Sequence, residues 1–496
     1  MQALSEAEET ESRGHHVASQ LVSHASGIAL VITALSLALR QVHPARFARF
    51  WDDALFFRRV AYNIVHHGTA AWNTADKPVF VNTSQLFQFI AAALLALFPH
   101  HYNAAVIFWS AACIAGCWWF SWQTTSRGPI QGLWLFCSLN APLVLLTITT
   151  GMETATVLLV LSAFLYATFR EAPVGETARR SRLLALTALQ LLVALARPDA
   201  LLLSLTTGVG LLAVRGDLWQ ATKLLIAALL SLGLLALAFR AYYGTPVPLA
   251  AYLKISPVSA YDHAYLSLDA PNKQMNLAQL GLMLVPLLPL LALRLDRENL
   301  VLCGAALAFV GFQGLTTYEI MGYHARFYAP ALPFFFAAGA RNLERASSAW
   351  SRCLLIFFGL LGGVLATVAY RHEWIETDVG MAAVTLQQYW MYFVGAPLAG
   401  ALLFFKPRLW PTAALLCATV LAGYQLSAIA PHRIRVVTDE DSDLQSLKIN
   451  WGQGGLDIIK KCFPETVTVM HSELGLPGVF LPEGRVVDFS GLANPA

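Results

Sequence analysis

The sequence predicts an all-α polytopic membrane protein of about thirteen transmembrane helices. Juxtamembrane helices fill its first outer loop, and a small α/β appendage ends it. Three observations carry this reading. The apolar residues come in long blocks rather than at amphipathic spacing, with 57% of the chain hydrophobic and 13% charged, where soluble domains are about a quarter charged. The short basic connectors between blocks fall on one side, as cytoplasmic loops do. The polar motifs with chemical potential fall on the other.

The blocks lie roughly at 24–43, 104–122, 130–149, 155–169, 183–196, 199–214, 221–240, 277–294, 299–316, 327–340, 353–370, 388–405 and 410–429. Backbone polar groups in lipid must be satisfied within the segment, so each block is read as a helix. Residues 1–23 are polar and acidic, without a signal-peptide pattern, and form a cytoplasmic tail. Residues 24–430 form the membrane domain, with the first outer loop at 44–103. Residues 431–496 form the extracytoplasmic C-terminal region. With the N-terminus inside, Arg127, Arg170, Arg179, Arg180, Arg182, Arg215, Lys223, Arg294, Arg297, Arg341, Arg345, Arg352, Lys406 and Arg408 all share the inner side. That parity requires two short helices, not one, across 183–214, broken at Arg197-Pro198-Asp199, because proline cannot continue a helix and disfavours it at the preceding residue. It also requires the apolar segment 84–98 to lie at the outer interface rather than to span.

Several classes are excluded or unsupported. A net charge of +3 is too small to argue for nucleic acid. Seven cysteines give no disulfide framework, and Cys113 and Cys117 are read as apolar packing residues rather than as a metal site. The paired histidines 66, 67, 100 and 101 lack zinc-ligand spacing. No phosphate loop or dinucleotide fingerprint occurs. No inner-side domain is large enough to bind a nucleotide sugar, so a sugar donor would arrive in the membrane.

The outer connectors collect Asp52-Asp53, Gly151-Met152-Glu153-Thr154, Arg197-Pro198-Asp199, Tyr242-Tyr243-Gly244-Thr245-Pro246, Lys254 and His324-Ala325-Arg326-Phe327. Adjacent carboxylates opening an amphipathic helix to about His66 suit a helix cap or, alternatively, a general base. Arg197 and Arg326, at the mouths of spans, either snorkel or bind a phosphate through paired hydrogen bonds. Lys77 and Lys254 are weaker versions of the same. Glu153 either caps its helix or meets a substrate or cation.

The order of these motifs resembles the GT-C glycosyltransferases. The stretch WDDALFFRRVAYNIVHHGTAAWNTADKPVFVNTSQLFQF is similar to the first outer loop of that class, with Asn63, Gly68, Thr83 and Ser84 at matching places. GMETA at 151–155, ARPDALLL at 196–203, YYGTPVPLAAYLK at 242–254, HARFYAPALP at 324–333 and GLPGVFLPEGRVVDFSGLANP near the end each resemble a further element. The branch resembled is the bacterial one that includes terminal arabinofuranosyltransferases. Departures occur at Leu249, at Val81-Asn82 and at Gly475-Leu476-Pro477.

The resemblance implies transfer of one sugar, with inversion, from a polyprenyl-phosphate donor to an extracytoplasmic glycan, lipid or protein acceptor at a bacterial inner membrane. It implies Asp52 and Asp53 as the catalytic pair, Asp52 first. It implies Lys77, Thr83, Glu153, Arg197, Tyr243, Lys254, His324 and Arg326 as substrate-binding, with Arg326, Arg197 and Lys254 toward the leaving phosphate. A divalent cation near Asp52 and Asp53, or arginine in its place, stays open, as does the metal. The competing expectations are a lipid-linked saccharide flippase and a non-catalytic scaffold.

Overall fold

The computed structural model describes residues 52–74, 76–124, 151–170, 175–249, 277, 280, 296–317, 326–345, 468–471, 478, 481 and 483–488. The expected spans at 24–43, 130–149, 353–370, 388–405 and 410–429, and nearly all of 277–294, lie outside the described residues.

The chain enters on α1 (Asp52–His67) and crosses a loop to α2 (Gln85–Leu97), which Ser84 caps by accepting a hydrogen bond from the Phe87 amide at 3.2 Å. After a 3-10 turn at Pro99–His101 it runs through α3 (Tyr102–Gln123), α4 (Thr154–Phe169), α5 (Glu176–Ala196), α6 (Leu201–Val214), α7 (Leu218–Tyr243), α8 (Arg297–Thr316) and α9 (Leu332–Arg345). Among the described residues, three segments are long and apolar enough to cross a membrane: Pro99–Gln123, Leu218–Tyr243 and Arg297–Thr316. Gln85–Leu97, Thr154–Phe169 and Pro198–Val214 are shorter apolar helices. The short α2 packs chiefly on α1. On α7, Ile226, Leu229, Leu230, Leu234 and Leu237 are exposed, a surface suited to lipid.

The expected break at 197–199 is present. Arg197 is extended, and Pro198 begins a 3-10 turn at Pro198–Ala200 before α6. The apolar part of α5 follows a first turn and a half rich in arginine and is shorter than the about 20 residues a crossing needs.

Lipid offers little hydrophobic drive for helices to associate, so close packing and interhelical hydrogen bonds must do it. The α3–α4 seam shows both. Trp109 Nε1 donates to Thr156 Oγ1 at 3.0 Å, and Cys117 Sγ lies 2.9 Å from Ser162 Oγ. These pairs advance together along both helices, so α3 and α4 run parallel. Gly208 and Gly210 let α6 approach its neighbours. A Cβ at Gly208 would stand 2.9 Å from the Phe164 ring, and one at Gly210 would stand 2.7 Å from a Val301 methyl.

Polar contacts give the direction of the rest. Arg182 Nη2 donates to the Thr168 carbonyl at 2.7 Å, joining the end of α4 to the start of α5. Glu298, at the start of α8, takes Arg215 from the end of α6 (2.8 Å) and Arg341 from the end of α9. Gln313, at the end of α8, reaches Asp199 just before α6. Hence α6 and α8 are antiparallel, and the two clusters are separated by the length of α6, about 20 Å at 1.5 Å per residue. One end of the bundle gathers Arg182, Arg215 and Arg341. The other gathers Glu153, Arg197, Asp199, Gln313 and Arg326. Among the described residues, these two groups therefore stand at opposite ends of the bundle.

The described tail consists of two parallel strands, β1 (Thr468–His471) and β2 (Arg485–Asp488), in register Thr468 to Arg485 through His471 to Asp488. It docks on α1 and its following loop. Trp72, fully buried, stacks edge-on against Phe56 with ring centroids 5.2 Å apart. Burying such a ring stabilises by about 3 kcal/mol. At the rim, Tyr62 donates to Glu483 Oε1 at 2.8 Å and His67 Nε2 stands 3.4 Å from the same oxygen.

The Tyr62 hydrogen bond, joined by His67, holds the Glu483 carboxyl below its ordinary 4.5. A carboxyl with a lowered folded-state pKa stabilises the docked state above its unfolded value, and that stabilisation is lost as pH falls through the folded value. Protection of the 483–488 amides, corrected for intrinsic exchange, should therefore hold at pH 6 and fall below about pH 4.5. Glu483→Gln should flatten that dependence.

Candidate active site

The acidic pair opens α1, where a helix N-terminus favours carboxylates. Asp53 points at the bundle: Arg326 Nη2 donates to its Oδ2 at 2.6 Å, a charge-assisted bond. Arg326 is 6% exposed. It is placed by the turn that precedes the 3-10 segment Ala329–Ala331, with Pro330 in its first turn, and then α9.

Arg197 lies beside it. Its Nη1 approaches the Arg326 carbonyl at 3.5 Å, and both guanidinium groups lie over the Phe327 ring, at 5.3 Å for Arg197 and 5.0 Å for Arg326. Asp199 takes Arg197 Nε through both oxygens, at 2.9 and 3.1 Å. Gln313 donates to Asp199 Oδ2, and Thr317 donates to Gln313 Oε1 at 2.6 Å. Burial pushes the Arg197 pKa down. Asp199 and then Glu153 outweigh it, so the net direction is upward and the cation is fixed.

Glu153 is 6% exposed, and its Oε2 accepts no hydrogen bond. It stands at the N-cap of α4, but its side chain makes no capping hydrogen bond. A buried carboxylate oxygen beside a fixed cation is a ready acceptor for a hydroxyl.

The structure therefore brings Asp53, Glu153, Arg197 and Arg326 together at one end of the bundle. Tyr243 is placed differently. Its hydroxyl donates to Gln85 Oε1 at 2.6 Å and its ring stacks on Phe80, 4.8 Å between centroids. Tyr242 Oη accepts the Ala70 amide at 3.2 Å, and the Leu249 amide donates to the Phe80 carbonyl at 2.9 Å. This connector holds the first loop to the end of α7. Thr83 is half-buried beside the α2 cap, and Lys77 is exposed on the same loop. Lys254, His324 and the Asp52 side chain lie outside the described residues.

Sequence reasoning left Asp199 out of the site and missed Gln313 altogether. A glutamine 1% exposed in an otherwise apolar helix was the available signal, since polar side chains at membrane depth are costly and usually partnered. Among the described residues, no three His, Cys, Asp or Glu side chains converge as a metal-ligand set. The Asp53 carboxylate is directed at a guanidinium.

No protein-family model matches the chain, and no curated protein matches it. Among solved structures, the crystal structure of ArnT from Cupriavidus metallidurans bound to undecaprenyl phosphate is similar, with a TM-score of 0.62 and 15% sequence identity. The match covers 96% of this chain and 88% of that one. The fold is ArnT-like. With its apolar helices, this makes the chain a helical polytopic membrane protein.

Proposed function

We propose that the protein transfers a single sugar from a polyprenyl-phosphate donor to an acceptor on the outer face of a bacterial inner membrane. The observation that carries this reading is the convergence of two buried arginines, Arg197 and Arg326, on the acidic start of α1, at the end of the bundle away from the basic connectors. The similar ArnT structure holds undecaprenyl phosphate, which supports a lipid phosphate as the ligand of this end.

The reaction is a single displacement. A carboxylate of the acidic pair, Asp52 in the first instance, takes the proton of the acceptor hydroxyl. The oxygen attacks the anomeric carbon, the bond from that carbon to the phosphate oxygen breaks, and the electron pair leaves on the lipid phosphate. The sugar is inverted. Arg326 and Arg197, with Lys254, stabilise the charge that grows on the phosphate. Asp53 holds Arg326 in place until the phosphate arrives. The buried Glu153 oxygen receives a sugar hydroxyl. The resemblance of the sequence to arabinofuranosyltransferases puts a pentofuranose first among donors.

The test uses purified full-length protein in nanodiscs and a panel of polyprenyl-phosphate monosaccharides, arabinofuranose included. Selective binding and turnover of one donor is the expected result. Folded protein that engages none of them overturns the reading and favours transport.

A further inference from the structure

Arg59 sits in the middle of α1, the helix that opens with the acidic pair, and the displacement chemistry does not use it. It is 1% exposed. Its guanidinium donates to four backbone carbonyls: Trp72 at 2.9 Å from Nε, Gly478 at 2.8 Å and Leu481 at 2.6 Å from Nη1, and Gly484 at 2.7 Å from Nη2. Three of the four acceptors come from the C-terminal tail. The same tail is held by Trp72 Nε1, which donates to the Val486 carbonyl at 3.0 Å, and by Asn73 Oδ1, which accepts the Val486 amide at 2.9 Å. Gly478 fits so closely that a Cβ there would lie 3.3 Å from Trp72 and 3.4 Å from Arg59.

The two faces of α1 bury different things. Ala54, Leu55, Phe57 and Ala61 pack into the bundle core. Phe56 and Val60 pack with Trp72, Val79, Val81 and Val486. The helix is therefore clamped between the bundle and the tail, and Arg59 is the polar centre of the tail side. A buried guanidinium deprived of these carbonyls carries an uncompensated charge, so the clamp is close to all-or-none.

We propose that Arg59 is a positioning residue that locks the tail segment 478–486 onto α1 and thereby fixes Asp53 against Arg326. Asp53 lies six residues away on the same rigid helix, about 9 Å at 1.5 Å per residue. A tilt of α1 about its bundle contacts moves the acidic pair relative to the arginines, and a displacement of about 1 Å at reacting groups costs about 100-fold in rate. The tail, far from the site in sequence, thus becomes part of the catalytic unit. The proposal rests on the glycosyltransferase reading above.

The test uses full-length protein carrying Arg59→Met, Arg59→Lys or Asn73→Ala. Three quantities are measured: amide-exchange protection of 481–488, affinity for undecaprenyl phosphate, and kcat and KM with the donor found in the panel. Arg59→Met should lose tail protection and about 100-fold in kcat, while lipid affinity and donor KM stay near wild type. Arg59→Lys should restore part of both losses. Asn73→Ala frees the strand without stranding a buried cation and should shift protection and kcat the same way, by less.

Retained undecaprenyl phosphate binding establishes that each variant is folded. Lost protection with intact kcat would overturn the positioning role. Intact protection in Arg59→Met would overturn the clamp itself. Wild-type protein that turns over no donor removes the glycosyltransferase reading and the positioning role with it, and exchange then separately decides whether Arg59 holds the tail.

Discussion

Asp53→Asn keeps, or tightens, binding of undecaprenyl phosphate and loses sugar transfer by about 100-fold, the cost of misplacing groups at the reacting centre. The opposite signs follow from the geometry. In the free protein, Asp53 Oδ2 receives Arg326 at 2.6 Å, so it competes with any phosphate for that guanidinium. An amide removes the competing charge. It also removes the carboxylate that sets the arginine's position when acceptor and donor meet. Asp52→Asn is the companion variant. Transfer lost at unchanged lipid affinity identifies Asp52 as the base, whereas full transfer in both variants removes the acidic pair from the chemistry. Binding in nanodiscs and a radiolabelled transfer assay with the panel donor give both readouts.

Arg326→Ala moves binding the other way. The arginine is 6% exposed and bonded to a carboxylate whose own side chain is 27% exposed. Losing a buried charged partner of the bound phosphate costs about 2–5 kcal/mol, roughly 30- to several-thousand-fold in affinity. The loss should appear in undecaprenyl phosphate binding and in transfer together, because the same group holds the phosphate before and after the bond breaks. Arg326→Lys keeps the charge but not the paired donors, and should recover only part of the affinity. It also controls for the destabilisation of taking the cation away from Asp53. Lipid affinity unchanged in folded Arg326→Ala would place the phosphate elsewhere, with Arg197 the next candidate.

The two variants separate chemistry from capture. Asp53→Asn and Arg326→Ala both fail in transfer, but only the second fails in binding. A scaffold protein shows neither defect. A flippase shows the binding defect and no transfer in any form of the protein.

Composition and charge order determined the class of this protein without any coordinates. Apolar blocks of membrane length demand helices because lipid offers the backbone no partner. Proline at 198 demanded the break that carries Arg197 and Asp199, and the structure has it. The sorting of basic connectors from polar motifs was legible because residues near alternate helix ends must share a side. Which polar residues touch was not legible. Asp53 and Arg326 lie 273 positions apart, and Arg59 and Gly484 lie 425 apart.

Nothing local distinguishes Tyr243, which packs the first loop against α7, from a tyrosine that meets substrate, and nothing local marks Arg59 as the centre of a clamp. Arg58 and Arg59 are neighbours of identical type, and only tertiary packing gives the second one four carbonyls. The reason is physical. The cost of burying a charge is fixed by residue type, but its compensation is supplied by whatever distant backbone the fold brings within 3 Å. Residue type therefore announces that a partner must exist, and only the tertiary structure decides which one.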